Sequence, residues 1–290
     1  MPNTQIWLSS REGDSLLGRA VMIGDQMDDL GTAAGVRIER EGPVLTVTLA
    51  SPENRNAQTP ATWRRLAEVE SYVDADTRVI LLRAEGRSFS AGLDRRMLTP
   101  EGVPGEASIL DLASKAPGEV EAFIEQAQQG FTWWASSDAI TIAAVQGHAI
   151  GAGFQLALAC DLVLVASDAQ FAMRETSLGL VPDLAGTRPL VHRIGYKRAL
   201  EACVTGRFID AEEAVRIGLA LSAHPADELD EAARSLAASM CASPQGATRD
   251  LKRLLRHATH ASAEEQLAME RRLQLNRIAE LSRLIQGTGS

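Results

Sequence analysis

The chain has 290 residues, is 45% hydrophobic and carries a net charge of −9, so it can bury a full core in one domain with an appendage. This acidic balance, without a basic stripe, argues against a nucleic-acid-binding protein, and no apolar run is long enough to cross a membrane. The three cysteines, Cys160, Cys203 and Cys241, stand far apart, which is typical of reduced thiols, and we expect a cytoplasmic protein.

Residues 1–34 are predicted to be an extension that precedes the folded domain. The segment lacks the basic start and apolar core of a signal peptide. Within it, we expect a partial helix over Asp14–Leu30.

The first elements of the predicted domain are strands and one helix. Alternating β-branched residues predict strands at Val36–Glu39 and Val44–Leu49. A helix is predicted over Pro60–Val73, with proline in its first turn, and a buried strand over Val79–Arg83. The segment Phe89–Asp94 contains a Ser-Ala-Gly turn, which we expect to leave backbone amides free.

A variable region separates this turn from the centre of the chain. Residues 99–118 are rich in glycine, proline and acidic residues and predict a flexible loop, with a short helix at Ile109–Ala113. A longer helix is predicted over Glu119–Ser136, where apolar residues recur at helical spacing.

The centre of the chain predicts a crossover unit of a parallel sheet. An apolar run, Ile140–Val145, leads into the small residues Gly151-Ala152-Gly153, an apolar helix and a second strand at Leu162–Val165. The first amides of a helix have no partner within the helix and carry partial positive charge. This turn is therefore suited to bind negative charge.

Two carboxylates follow the crossover unit. Glu175 and Asp183 lie in a segment broken by Gly179 and Pro182. A backbone anion site with two carboxylates nearby favours chemistry that passes through an enolate.

The back half of the chain is predicted to be helical. Helices are expected over Gly195–Val204, Asp210–Arg216, Ala226–Met240, Gln245–His257 and Ala261–Leu284.

Several motifs in this order resemble the enoyl-CoA hydratase/isomerase (crotonase) superfamily over roughly Gly35–Ala258. They are Asn54–Ala57, Phe89–Asp94, Gly147–Asp161, Ala169–Phe171, Glu175, Leu178–Pro182, Gly186–Thr187, Leu190–Gly195, Thr205–Arg207, Ala211–Ala214 and Gly218–Leu219. Each motif alone is weak, whereas the whole ordered set is specific.

The resemblance implies an α/β fold with a crotonase-like ββα superhelix core and a C-terminal helical trimerisation region. It divides the chain into an extension (1–34), a core that binds and transforms acyl-CoA (35–225) and a helical region (226–290). It also implies a homotrimer or a hexamer made of two trimers. Coenzyme A would enter as part of the substrate, with no separate cofactor and no metal.

The resemblance also implies site residues. The backbone amides of Ala91 and Ala152 would form an oxyanion hole for the thioester carbonyl. Glu175 matches one of the two glutamates of hydratases. The residues expected to contact substrate or CoA are Arg55, Ala57, Ser90, Leu93, Asp94, Met97, Gly151 and Lys252.

Gln155 is a departure from the hydratase pattern, because it stands where the family has the first catalytic glutamate. An amide can orient a water molecule but cannot exchange a proton at neutral pH. Asp183 stands where dienoyl-CoA isomerases of the superfamily carry an aspartate, so double-bond isomerisation through Glu175 and Asp183 is favoured. Three alternatives stay open: a plain hydratase, a non-catalytic acyl-CoA-binding protein, and a helix N-cap role for Asp183.

Overall fold

The computed structural model describes residues 28–287, which contain ten β-strands and nine α-helices. The strands are β1 (Asp28–Ala33), β2 (Val36–Glu41), β3 (Val44–Leu49), β4 (Val79–Ala84), β5 (Ile140–Val145), β6 (His148–Ile150), β7 (Leu162–Ala166), β8 (Gln170–Ala172), β9 (Ile209–Asp210) and β10 (Ser222–His224). The helices are α1 (Pro60–Glu68), α2 (Ile109–Ala113), α3 (Pro117–Ser136), α4 (Ala152–Ala159), α5 (Thr187–Thr205), α6 (Ala211–Arg216), α7 (Leu229–Ala242), α8 (Gln245–Ala258) and α9 (Ala263–Gly287). Short 3-10 helices lie at Pro52–Asn54, Val69–Tyr72, Arg95–Leu98 and Glu175–Leu178.

The described residues form two compact units, 28–237 and 238–287. The first unit contains a seven-stranded sheet with the order β1-β2-β3-β4-β5-β7-β10 and a three-stranded sheet with the order β6-β8-β9. In the larger sheet, β1, β2 and β3 pair antiparallel, and every pairing from β3 onward is parallel. The α/β fold is thus confirmed.

The predicted crossover unit is also confirmed. Strand β5 pairs in parallel with β7, with Ile142 opposite Leu162 and Val145 opposite Val165, and α4 lies between them in the chain. Because β4 and β5 are parallel neighbours, their carboxyl ends lie at the same edge of the sheet. The segments that follow these strands meet there, at the edge where open α/β sheets bind ligands.

The N-terminal prediction is corrected where the structure describes it. Residues 1–27, and with them most of the predicted extension and helix, lie outside the described residues. The end of the predicted helix is wrong, because Asp28–Leu30 belong to strand β1, which pairs with β2 through Asp28 opposite Arg40.

The predicted helix at Gly195–Val204 is part of a longer element. Helix α5 begins at Thr187 and is interrupted at Gly195, which has φ of 79° and ψ of 157°. Such a backbone conformation favours glycine and breaks the helical hydrogen-bond ladder.

Helices α1 and α3 pack closely because a glycine stands between them. Trp63 of α1 and Phe131 of α3 meet edge to face with ring centroids 6.4 Å apart. A Cβ placed on Gly130 would lie 2.6 Å from the backbone oxygen of Trp63. Any larger residue must therefore push the two helices apart.

We expect Gly130→Ala to lower the free energy of unfolding by about 1–3 kcal/mol, as overpacking of a core does. Gly118→Ala is the matched control in the same helix, since a Cβ there meets nothing within 4 Å. It should leave stability unchanged or raise it slightly, because alanine is the better helix former. Urea unfolding of both variants measures the difference, and equal midpoints would contradict the close contact.

The second unit consists of α8, α9 and the end of α7. The buried Asp250 of α8 forms an ion pair with Arg277 of α9, with 2.8 Å between oxygen and nitrogen. Several apolar side chains of α9 are exposed: Leu267, Leu275, Ile278, Leu281 and Ile285. In residues 28–287, no helix combines the length and apolar character needed to cross a membrane.

Candidate active site

The predicted site residues gather around one large cavity of the first unit, with a volume of 2270 Å³. Its walls come from the turn after β3, the segments after β4 and β5, helix α3 and the chain between β8 and α5. Ten of the predicted residues line it: Arg55, Ala57, Ala91, Leu93, Asp94, Gly151, Ala152, Gln155, Glu175 and Asp183.

Three predicted contact residues lie elsewhere. Ser90 is fully buried below the wall, where its hydroxyl donates to the Asn56 carbonyl at 2.7 Å. Met97 is also fully buried in the 3-10 helix after Asp94. Lys252 belongs to the second unit, where it is buried on α8. Ser90 and Met97 therefore support the wall rather than face the cavity.

The turn after β4 is held by backbone hydrogen bonds to the segment 55–58. The amide of Ala91 donates to the carbonyl of Arg55 at 2.9 Å, and the amide of Asp94 donates to the carbonyl of Gln58 at 2.8 Å. The amide of Gly92 faces the Ser90 hydroxyl at 3.2 Å. Within residues 28–287, this leaves the amide of Leu93 as the one in Ala91–Asp94 without an acceptor.

The turn after β5 ends at the first residue of α4. Gly151 precedes this helix with φ of 51° and ψ of −117°, and its amide donates to the Ala172 carbonyl at 2.9 Å. Ala152 is the first helical residue, and the structure gives its amide no acceptor in the described part of the chain. Such an amide is available to a ligand.

These two turns are in direct contact. The amide of Ile150 donates to the Ser90 carbonyl at 3.0 Å. A Cβ on Gly92, whose φ is 83°, would lie 2.4 Å from the Ile150 oxygen and 3.5 Å from the Ala152 nitrogen. The donors that border the cavity as a pair are hence Leu93 and Ala152. This differs from the predicted pair, Ala91 and Ala152, since the amide of Ala91 is hydrogen-bonded to the Arg55 carbonyl.

Helix α4 is enclosed over its whole length, and all eight of its residues are buried. At its carboxyl end, the guanidinium of the half-buried Arg193 donates to the carbonyls of Leu158 and Cys160. Burial lowers the pKa of Arg193, although the group stays a cation. A cation here complements the helix dipole, whose positive end lies at Ala152.

Glu175 opens the 3-10 helix after β8 and is half-buried. Its Oε1 accepts a hydrogen bond from Nε2 of Gln155 at 2.7 Å. Its Oε2 is buried and has no hydrogen-bond partner among the described residues. Burial raises the pKa of Glu175, hydrogen bonds from its own backbone amide and from Gln155 lower it in part, and the charge of Asp183 raises it again. A carboxyl group with a raised pKa is suited to carry a proton near neutral pH.

Asp183 lies on the same cavity wall, three residues before Gly186, the N-cap of α5. The residue is exposed, and partial desolvation raises the pKa of its carboxyl group. Its backbone carbonyl accepts a hydrogen bond of 2.7 Å from Gln128 of α3. The N-cap alternative is wrong, because Gly186 is the N-cap of α5 and no side chain caps that helix.

Gln155 lies on α4 between the two carboxylate segments and is 1% exposed. Its Oε1 accepts hydrogen bonds from the amides of Leu184 at 2.9 Å and Gly186 at 3.3 Å. Together with the bond to Glu175, these contacts commit both ends of the side-chain amide to protein partners.

Asp94 lines the cavity as half of an ion pair. Its carboxylate accepts from the Arg96 guanidinium at 2.7 Å, and this contact holds the pKa of Asp94 below its usual range. It also accepts from the Arg96 amide at 3.0 Å and so caps the 3-10 helix. The structure thus gives Asp94 a structural role in the wall.

Sequence reasoning missed that the amide of Leu93 has no acceptor among the described residues, and it missed the contact of Gln128 with the Asp183 segment. The first depends on which amides the segment 55–58 occupies, and no residue type signals that pairing. The second joins residues 55 positions apart in the chain. In residues 28–287, no group of three or more histidine, cysteine or carboxylate side chains could hold a metal ion.

Comparisons with known proteins agree with this architecture. The sequence profile of the family described as enoyl-CoA hydratase/isomerase matches residues 39–288. The chain is 30% identical over 238 residues to the 2,3-dehydroadipyl-CoA hydratase of Escherichia coli K12, covering 81% of this chain and 87% of the relative. It is 34% identical over 233 residues to the carnitinyl-CoA dehydratase of Salmonella typhi, covering 79% and 83%. A Thermobifida fusca YX protein assigned as an enoyl-CoA hydratase and solved in complex with CoA is similar with a TM-score of 0.82 and 41% identity, covering 86% of this chain and 95% of that one.

Proposed function

The chain belongs to the enoyl-CoA hydratase/isomerase family, and on that premise we propose that it moves the double bond of an enoyl-CoA by proton transfer through Glu175 and Asp183. The observation that carries this proposal is a pair of carboxyl groups on one cavity, half-buried Glu175 and exposed Asp183, both with a raised pKa, beside a glutamine that cannot exchange protons. Two such groups can serve two carbon atoms of one substrate.

The thioester carbonyl would accept hydrogen bonds from the backbone amides of Leu93 and Ala152. Negative charge grows on that oxygen when a proton leaves the neighbouring carbon, and donors fixed in place stabilise it without rearrangement. Two observations support this assignment. Neither amide has a hydrogen-bond acceptor in the described part of the chain, and the two turns that carry them are in contact. Losing one such donor typically costs about 10²–10³ in rate.

In the proposed reaction, ionised Glu175 removes a proton from C2 of a 3-enoyl-CoA, and the electrons move into the thioester to form a dienolate. Protonated Asp183 then delivers its proton to C4, which leaves a 2-enoyl-CoA. The hydrogen bond from Gln155 favours the ionised form of Glu175. The proposal places the second proton on Asp183, whose carboxyl group has no side-chain donor within the described residues and a pKa raised by desolvation.

Hydration is the second candidate, and the names of the relatives favour it. In that reaction, one carboxyl group takes a proton from water while another protonates the α-carbon. Gln155 cannot be the second group, so Glu175 would have to pass the proton that it takes from water on to the α-carbon. A third candidate, acyl-CoA binding without turnover, is favoured only by the amide at position 155.

We expect the protein to convert a 3-enoyl-CoA to the 2-enoyl-CoA faster than it hydrates crotonyl-CoA. The first reaction is followed by the appearance of the enone absorbance band and the second by its loss. In D2O, the product of the first reaction should carry deuterium at C4, because Asp183 exchanges its proton with solvent.

Turnover of crotonyl-CoA alone would reject isomerisation in favour of hydration. Tight binding of acyl-CoA esters of several chain lengths, without any turnover, would reject both reactions.

The proposal includes no separate cofactor, since coenzyme A enters with the substrate. The exposed apolar side chains of α9 support the expected assembly into trimers.

A further inference from the structure

The side chain of Gln155 has only one orientation that satisfies its neighbours. Its Oε1 faces the backbone amides of Leu184 and Gly186 at 2.9 and 3.3 Å. Backbone amides can only donate, so the oxygen of the side-chain amide must point toward them. The nitrogen must then point toward Glu175, whose Oε1 lies 2.7 Å away.

Tight packing keeps this orientation in place. A Cβ on Gly186 would lie 2.6 Å from Cγ of Gln155, so the glutamine fills the space beside that residue. The side chain is 1% exposed, and α4 is buried on every side. Rotation of the amide would break three hydrogen bonds in a site with little access to water.

The fixed donor makes the two oxygen atoms of Glu175 unequal. Oε1 receives a hydrogen bond and must act as an acceptor, which leaves Oε2 as the atom that can carry a proton. Oε2 is buried and has no partner in the described part of the chain. Since Oε1 is committed to Gln155, Oε2 is the oxygen left without a hydrogen bond and so the one that can take up a proton.

We infer that Gln155 is a positioning residue that confines proton transfer by Glu175 to Oε2 and supplies a donor to Glu175 that does not titrate. This inference rests on the proposed proton transfer at Glu175. A glutamate at position 155 could accept from the same two backbone amides, but its other oxygen would carry charge or a proton according to pH. With glutamine at position 155, no second ionisable side chain is hydrogen-bonded to Glu175 there.

Other groups that face Glu175 do not provide the same donor. Asp183 is a second carboxyl group, and Cys203 of α5 is a thiol whose pKa is raised by burial and by Glu175 itself. Arg174, the preceding residue, donates instead to the Gly206 carbonyl at 3.1 Å. Gln155 is therefore the side-chain donor that the structure gives to Glu175 within residues 28–287.

The test is Gln155→Glu, read through exchange of the α-protons of butyryl-CoA in D2O, followed by NMR across a range of pH. This exchange needs enolate formation at Glu175 but neither isomerisation nor hydration. The introduced carboxylate keeps both backbone hydrogen bonds and places a like charge beside Glu175. In the wild type, the exchange rate should rise with pH as Glu175 ionises, and we call this part of the pH profile the rising limb. In the variant, we expect the rising limb to shift to higher pH by about one unit or more, with KM little changed.

Gln146→Glu is the matched control, because among the described residues the Gln146 side chain donates only to the carbonyls of Ala84 and Gly86, and it lies off the cavity wall. It should alter stability without moving the rising limb. If Gln155→Glu does not fold, Gln155→Met removes the donor without adding charge, and the limb should again move upward.

A folded Gln155 variant with the wild-type limb would overturn the positioning role. Exchange by the wild type without conversion of a 3-enoyl-CoA would reject isomerisation and leave the role of Gln155 intact. A wild type that exchanges no α-proton would overturn both the proton transfer and the positioning role.

Discussion

Glu175→Gln is expected to lower kcat for a 3-enoyl-CoA by about 10²–10⁴-fold, the usual contribution of a positioned acid or base. The change keeps the shape of the side chain and removes its ability to take a proton from C2. Burial raises the pKa of Glu175, and the reaction needs its ionised form, so the wild-type rate should rise as pH increases through that raised pKa. The variant should lose this rising limb.

Affinity for acyl-CoA should change little in Glu175→Gln, because backbone amides, rather than this carboxylate, would hold the thioester. Calorimetric titration with a saturated acyl-CoA measures this quantity separately from turnover. A variant that keeps full activity would show that Glu175 is not the proton carrier. A large loss of affinity together with activity would point to a role in binding.

Asp183→Asn is expected to abolish isomerisation, with a loss of about 10²–10⁴-fold, and to spare any hydration of crotonyl-CoA. The amide cannot deliver a proton to C4, whereas proton transfer at C2 stays with Glu175. Partial desolvation raises the pKa of Asp183, and its protonated form is the active one in the proposed reaction, so the wild-type rate should fall as pH rises through that pKa. The variant should lack this falling limb.

The two reactions measured on one preparation provide the control for Asp183→Asn. The Asp183 backbone carbonyl, which accepts from Gln128, is unchanged in the variant, so the wall should keep its shape. If isomerisation and hydration fall by equal factors, Asp183 shapes the site instead of carrying a proton.

The central crossover could be predicted because its signals are local. The apolar run at Ile140–Val145, the small residues at Gly151–Gly153 and the next apolar run each favour one element, and short connections allow few arrangements. The structure pairs β5 with β7 as expected. Strand β1 was missed because its pairing with β2 comes from tertiary contact, which the acidic sequence around Asp28 does not signal.

The amide donors of the site were harder to predict, since the side chains of a turn do not reveal the direction of its N–H groups. Ala91 and Leu93 are two positions apart, and only the bond from Ala91 to the Arg55 carbonyl distinguishes them. Likewise, the sequence identifies Gln155 as an unusual residue but not its contact with Glu175, 20 positions later. Both contacts exist only after distant segments have come together.

The complete enclosure of α4 has a consequence for how this protein can diverge. None of its eight residues can be replaced by a larger one without disturbing its neighbours, so the helix that presents the Ala152 amide tolerates few substitutions. The rim is different, because exposed side chains such as Leu178 and Val181 border the same cavity. Selection for a new acyl group can therefore substitute residues at the rim while descendants keep the buried helix and the chemistry of the site.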